Sequence, residues 1–199
     1  MREVLAGIHH WTAFHERIGF DVSSYYVAPA GALVDPMLPS EGVEAVARLG
    51  TPGVILLTNR HHHRHSDRFR EAFECPVRCP ESGLHEFGPE MDVEGFDFGD
   101  EVAPGVVALE VDAICPDDSA LHVPASRALA FADGLVHWGE RKVGFVPDQY
   151  MGDDPDAVKR GLRASASRLL ELEPDNLLFA HGDPIVGGGS DALRAFLDS

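Results

Sequence analysis

Three apolar runs constrain the fold of this chain most: GVILLT at 53–58, ALAFA at 128–132 and NLLFA at 176–180. Each is too short for a helix and too continuously apolar for a strand with one solvated face. Each therefore predicts a strand buried on both sides, inside a sheet covered by other layers. Each also stops on residues that can ligate a metal or move a proton: the tract His61 to His65, then Asp133, then His181. A shorter run, ALV at 32–34, stops on Asp35. Strand ends are rigid platforms where chemistry is commonly placed. Imidazole with carboxylate suits zinc, manganese or iron, whereas calcium asks for more oxygen ligands. Each residue also has a plain reading. Asp35 before Pro36 and Asp133 before Gly134 are turn formers, His181 in HGDP fits a turn, and a histidine tract is often a solvated loop. Four such residues at four strand ends favour a shared site.

The remaining elements follow from local pattern. SYYVAPAGALVDPM reads as a hairpin, with 25–27 and 32–34 as strands around Pro29-Ala30-Gly31. Ser40 is a candidate cap for a helix through about Leu49, stopped by Gly50. Ser66 is a candidate cap for a helix carrying Phe69, Ala72 and Phe73 on one face. A short strand is expected at 76–79 and a helical turn from Ser82. VVALEVDAIC and RALAFADGLVHWGERKVGFV read as strands of a second sheet. DDPDAVKRGLRASASRLLELEP is the clearest helix, capped by Asp154 with Pro155 at its first position, and with Val158, Leu162, Leu169 and Leu172 along one stripe. The last helix, SDALRAFLDS, has Ser190 as its expected cap. The order strands, helix, strand, helix, strands, helix, strand, helix argues for two sheets with helices outside, with a three-layer parallel α/β sheet as the alternative. The chain of 199 residues has no long linker and no internal repeat, and one domain over 1–199 is expected.

The formal charge of −17 disfavours phosphate backbones and anionic lipid, since the summed field repels polyanions. A small-molecule substrate or a metal ion fits better, with no nucleic-acid or membrane partner, and a homodimer is a candidate assembly. No apolar stretch is long enough to cross a bilayer, and MREVLAGIHHWTAF lacks the apolar core of a signal peptide, so a cytoplasmic location is expected. Cys75, Cys79 and Cys115 make an odd count, read as buried thiols rather than a disulfide framework or a zinc knuckle. His9, His10, His15, His85, His122 and His137 are read as mostly structural or exposed, and Trp11 and Trp138 as core or rim aromatics.

In sequence order ALVDPM, VILLTNRHHHRHSD, AICPDDSALH, LAFADGLV and LLFAHGDPI resemble the metallo-β-lactamase fold superfamily from about Tyr25 to Leu197. That family runs from a hairpin ending in Asp to a buried strand ending in Thr-His-x-His-x-Asp-His. It continues through a Pro-Gly-His turn, a strand ending in Gly-Asp, and a strand ending in Gly-His-Gly. The resemblance implies an α/β fold, an αββα four-layer sandwich of two mixed β-sheets flanked by helices. It also implies a metal-dependent hydrolase acting on a small-molecule ester, thioester, lactone or phosphoester through a metal-bound water. Asp133 and His181 match the family's bridging Asp and late His, and Asp118 stands where the family has its third His.

The central motif departs from the family's pattern. With Thr58 in register, Asn59 and His61 take the two His positions, His63 the Asp and Arg64 the last His. With a loop longer by two, His61 and His63 are the His pair, His65 takes the Asp position and Ser66 the last His. The metal-ligand set implied is drawn from His61, His63, His65, Asp118, Asp133 and His181. It holds one zinc ion rather than two, with iron or manganese as alternatives. Asp133 and Arg64 are the implied catalytic residues, Arg64 replacing the charge of a missing ion or clamping an anionic substrate group. The competing expectation is a family member without catalysis that binds a small ligand or a protein partner.

Overall fold

The computed structural model describes residues 1–138 and 142–199. Seven strands form one mixed sheet in sequential order: β1 (Arg2–Leu5), β2 (Ile8–His15), β3 (Phe20–Val27), β4 (Ala32–Val34), β5 (Val54–Leu56), β6 (Val77–Pro80) and β7 (Val93–Phe96). Pairing is antiparallel from β1 to β4 and parallel from β4 to β7. The second sheet contains β8 (Glu101–Ala103), β9 (Val106–Glu110), β10 (Ser119–Val123), β11 (Ala128–Phe131), β12 (Asn176–Phe179) and β13 (Ile185–Val186), ordered β13-β12-β11-β10-β9-β8. Only β11 and β12 run parallel there. The helices are α1 (Glu44–Ala47), α2 (Ser66–Phe73), α3 (Pro155–Leu170) and α4 (Gly189–Leu197).

The layers follow from which residues each element buries. Between the sheets lie Tyr25, Val27, Val34, Leu56, Phe96, Val106, Leu121 and Leu178. The outer face of the first sheet, with Leu33, Ile55, Leu57 and Val77, packs on Val46 of α1 and Phe69 of α2. The outer face of the second, with Leu129, Phe131, Leu177 and Phe179, packs on Leu162 and Leu169 of α3 and on Leu193 and Phe196 of α4. Successive residues of β5, β11 and β12 thus alternate between two apolar layers, so these strands are continuously apolar. The arrangement is αββα, which excludes the three-layer alternative.

Several local expectations are corrected. Gly42 sits in a left-handed turn (φ 75°), so the helix after Ser40 begins only at Glu44, and the Ser40 hydroxyl donates to Glu41 instead. Ser66 is the first residue of α2 rather than its cap, which is His65. Ser190 lies inside α4, whose cap is Gly188 at φ 76°, and its hydroxyl donates to the Pro174 carbonyl. Asp154 does cap α3, accepting from the Ala157 amide at 2.9 Å, but Leu172 falls beyond the helix and is exposed. Past Phe131 the expected strand is reduced to isolated bridges, Val136 with Gly144 and His137 with Gly182, and residues 139–141 of that segment lie outside the described residues. The three cysteines are buried free thiols. Among the described residues, no helix is long and apolar enough to cross a membrane.

Candidate metal centre

The carboxyl ends of β4, β5, β11 and β12 meet at one edge of the sandwich. Parallel pairing of β4 with β5 and of β11 with β12 points those ends the same way. In α/β sheets that edge is where loops collect ligand-binding groups. Asp35 follows β4 and is buried. Its Oδ1 accepts from the Thr58 amide at 2.8 Å, and its Oδ2 accepts from Thr58 Oγ1 at 2.6 Å and pairs with His62 Nδ1 at 3.0 Å. With its Nδ1 held in this way, His62 turns Nε2 toward Asp133 Oδ1, 3.3 Å away. His181 Nε2 reaches the same oxygen at 2.8 Å. The donor atoms of His62, Asp133 and His181 lie within 4.8 Å of one another.

His62, not its neighbours, enters the cluster because of the backbone after β5. Asn59 accepts the His61 amide on its side-chain oxygen at 3.0 Å and caps a 3-10 turn over Arg60–His62. In such a turn residues i and i+3 eclipse, so Asn59 and His62 share a face, and Asn59 Nδ2 donates to Asp133 Oδ2 at 2.8 Å. Both registers read from the sequence keep His61 and His63 in the motif and pass over His62. The turn sends the other expected ligands elsewhere. His61 is exposed at the pocket rim. His63 lies against Phe87 with Nε2 at 3.7 Å from Asp67. His65 Nδ1 accepts the Leu38 amide at 3.0 Å. Asp118 is buried beside the cluster, with Oδ1 accepting the Asp133 amide at 3.1 Å and Oδ2 without a partner among the described residues. Burial and the Asp133 charge push its carboxyl up to about 8; Asp118 holds the Asp133 backbone and stands outside the converging set of His62, Asp133 and His181. Gly134 is required there, because a Cβ would stand 2.6 Å from Asp118 Oδ2.

Arg64 takes a left-handed backbone (φ 46°), as does Asp35 (φ 47°). Such conformations cost about 1 kcal/mol or more in a non-glycine residue and cluster at functional sites. Here they let Arg64 Nη1 donate to the carbonyls of Ser23 and Asp35, both at 2.7 Å. The charges balance internally. Burial lowers the His62 pKa, but the Asp35 and Asp133 carboxylates outweigh it and raise it to about 9. Burial raises the Asp133 carboxyl, yet the His62 charge and the hydrogen bonds from His181 and His62 hold it well below its usual range. Burial keeps the His181 imidazole below its usual value.

The donor set suits one cation rather than two. His62 Nε2, His181 Nε2 and Asp133 converge as a His2Asp set, and the Asp35 and Thr58 contacts to His62 Nδ1 supply the outer support that metal-bound imidazoles usually have. A second ion would need acceptors where Asn59 presents an N–H and Arg64 a guanidinium. Above the cluster lies a pocket of about 300 Å³ whose lining includes His61, Arg64, Ile114, Trp138 and Tyr150. Phe20 and Trp138 meet the His181 ring edge-on at 5.8 and 5.9 Å between centroids. Gly182 secures the turn after His181: its φ is 106°, and a Cβ there would overlap the His137 carbonyl.

No protein-family profile matches the sequence, and no curated protein matches it. Solved structures do match in shape over nearly the whole chain. A metallo-beta-lactamase family protein from Thermus thermophilus superposes with a TM-score of 0.68 at 19% identity, covering 98% of this chain and 80% of that one. DIM-1 metallo-beta-lactamase gives 0.73 at 13% identity, covering 98% and 94%. The chemotaxis sensor ODP, a peroxy diiron species, gives 0.70 at 12% identity, covering 100% and 94%.

Proposed function

From the premise that this chain has the metallo-β-lactamase fold, we propose that it is a hydrolase-like protein with a single-metal site. Its substrate is a small-molecule ester, thioester, lactone or phosphoester. The observation that supports this most is the convergence of His62, Asp133 and His181 at the floor of a pocket. Zinc suits that donor set first, with iron or manganese as alternatives. An ion held there supplies Lewis acidity toward a substrate carbonyl or phosphoryl oxygen. The chain's own residues orient and shield. Asp35 and Thr58 fix the tautomer and angle of His62, and Asn59 and the Asp118 carboxyl fix Asp133. Trp138 and Phe20 screen His181 from water. Arg64 is a catalytic residue in this reading, a fixed cation for negative charge that develops on the substrate.

Metal analysis of the untagged protein after loading tests this. About one equivalent is expected for the wild type, and less than about 0.2 equivalents of any transition metal would sink it. Asp133→Asn and His62→Ala should lose the metal, while Asp35→Asn, which weakens only the support of His62, should lower affinity about 10- to 100-fold in a chelator competition.

The internal charge balance favours a second reading. With His62 and Arg64 set against Asp35 and Asp133, the same residues serve a binding protein without catalysis. Under that reading His62→Ala and Asp133→Asn leave metal content unchanged at background, while a small ligand still raises the melting temperature.

A further inference from the structure

The pocket differs in charge from the molecule that carries it. The chain bears −17 overall, yet among the described residues the pocket is lined by Arg17 and Arg64 against a single carboxylate, Asp133. That carboxylate is already occupied by His62, His181 and Asn59. Arg64 spends Nη1 on two backbone carbonyls, whereas Nη2 is buried and has no partner among the described residues. A buried N–H without an acceptor is costly, and Arg64 is among the residues that line the pocket. The hairpin between β2 and β3 supplies His15 and Arg17 to the same pocket, and His15 Nδ1 is also buried without a partner among the described residues. The rest of the wall combines apolar Ile18, Phe20, Ile114, Trp138 and Val146 with His61 and Tyr150.

We infer that this pocket binds a small amphipathic oxyanion, its carboxylate or phosphate group held by Arg64 Nη2 and Arg17 and its apolar body against Phe20, Ile114 and Trp138. The inference rests on the preceding reading only in taking the pocket as the substrate site, and it requires no metal. Because Nη1 is committed, the Nε–Nη2 side of the Arg64 guanidinium is the one left for the anion. Arg17, exposed on the hairpin, lines the same pocket and supplies the second cation.

Calorimetric titration tests this with phenylacetate, phenyl phosphate and the neutral isostere phenylacetamide. Each is added to chelator-stripped and to metal-loaded wild type, to Arg17→Met and to Arg64→Met. At least one anion should bind the stripped protein about tenfold or more tightly than the amide, the tighter one identifying the head group. Arg17→Met should weaken it about three- to tenfold, and Arg64→Met more. Should Arg64→Met fail to fold by circular dichroism, Arg17→Met decides alone. Equal binding of anion and amide, binding indifferent to Arg17→Met, no binding, or anion binding only after metal loading would each overturn the inference. Failure to take up metal with anion binding intact would overturn the metal centre and leave this inference standing.

Discussion

At the scale of single residues, burial sets what each histidine of this chain can do. His10 lies on β2 away from the metal centre, with Nε2 2.9 Å from Ser23 Oγ and its ring stacked on Tyr25 at 4.9 Å. Burial, reinforced by the charge of Arg2, pushes its pKa down to about 4. The folded state thus excludes a proton that the unfolded chain accepts near pH 6.5. His10 therefore costs nothing above that pH and destabilises the fold progressively as pH falls toward 4. Denaturant unfolding should show on the order of 2 kcal/mol lost to this group between about pH 7 and about pH 5. His10→Gln, which keeps a donor to Ser23, should flatten the profile by that amount, and an unchanged slope would remove His10 as the cause. In the tract after β5 the residue types are legible in the sequence but the member that matters is not. His61, His63 and His65 follow from setting the tract against the family's motif, and His62 enters only because Asn59 caps a 3-10 turn. Asn before a polar run is a capping signal, and i+3 counting from it is the cue the sequence offers.

At the scale of elements, local chemistry is decisive where cap and stripe agree. α3 has an Asp cap, Pro at its first position and Leu162 and Leu169 buried on one face, and it starts at Pro155 as its pattern predicts but ends at Leu170, short of Leu172. Asp154→Ala should cost about 1 kcal/mol through the lost bond to the Ala157 amide. Leu162→Ala should cost about 2 to 5 kcal/mol, since it empties space between α3 and the second sheet. Both are readable as shifts of a chemical denaturation midpoint at constant slope, and a cap effect exceeding the core effect would refute this assignment. Elements whose expected start rests on a serine cap are misplaced by local pattern alone. A left-handed glycine at 42 or 188 redirects the chain before the serine hydroxyl has an amide to bind. β1 and β2 escape the same reading because HHWT carries no apolar run. Along β2 burial falls toward the hairpin, with Ile8, His10 and Trp11 buried and Thr12 and Phe14 exposed, a pattern set by the pairing with β3 rather than by residue type.

At the scale of the molecule, the sheets are joined by an apolar layer and pinned by hydrogen bonds near the site. Tyr25 Oη donates to the Phe179 carbonyl at 2.9 Å and accepts the Phe179 amide at 3.0 Å. Ser23 N–H donates to the Ala180 carbonyl, and Ser119 Oγ donates to the Thr58 carbonyl. Tyr25→Phe leaves both Phe179 backbone groups unpaired in a dry interior and should cost about 2 to 3 kcal/mol in unfolding free energy. A loss under about 0.5 kcal/mol would show that the pin carries no stability. Because these pins adjoin His181, they couple sheet docking to the geometry of the metal centre. The sequence alone determined which segments are buried strands, that helices cover them, and that Asp35, Asp133 and His181 stand at strand ends. Those properties depend on hydrophobic period and on residues adjacent in the chain. Only the tertiary structure decided that His62 completes the cluster, that Asp118 is buried behind Asp133 with its carboxyl pushed up, and that Arg64 leaves Nη2 without a partner among the described residues. Each of these depends on groups far apart in sequence, such as Asp35 with His62 and Asn59 with Asp133, whose meeting is set by how two sheets dock and not by any local pattern.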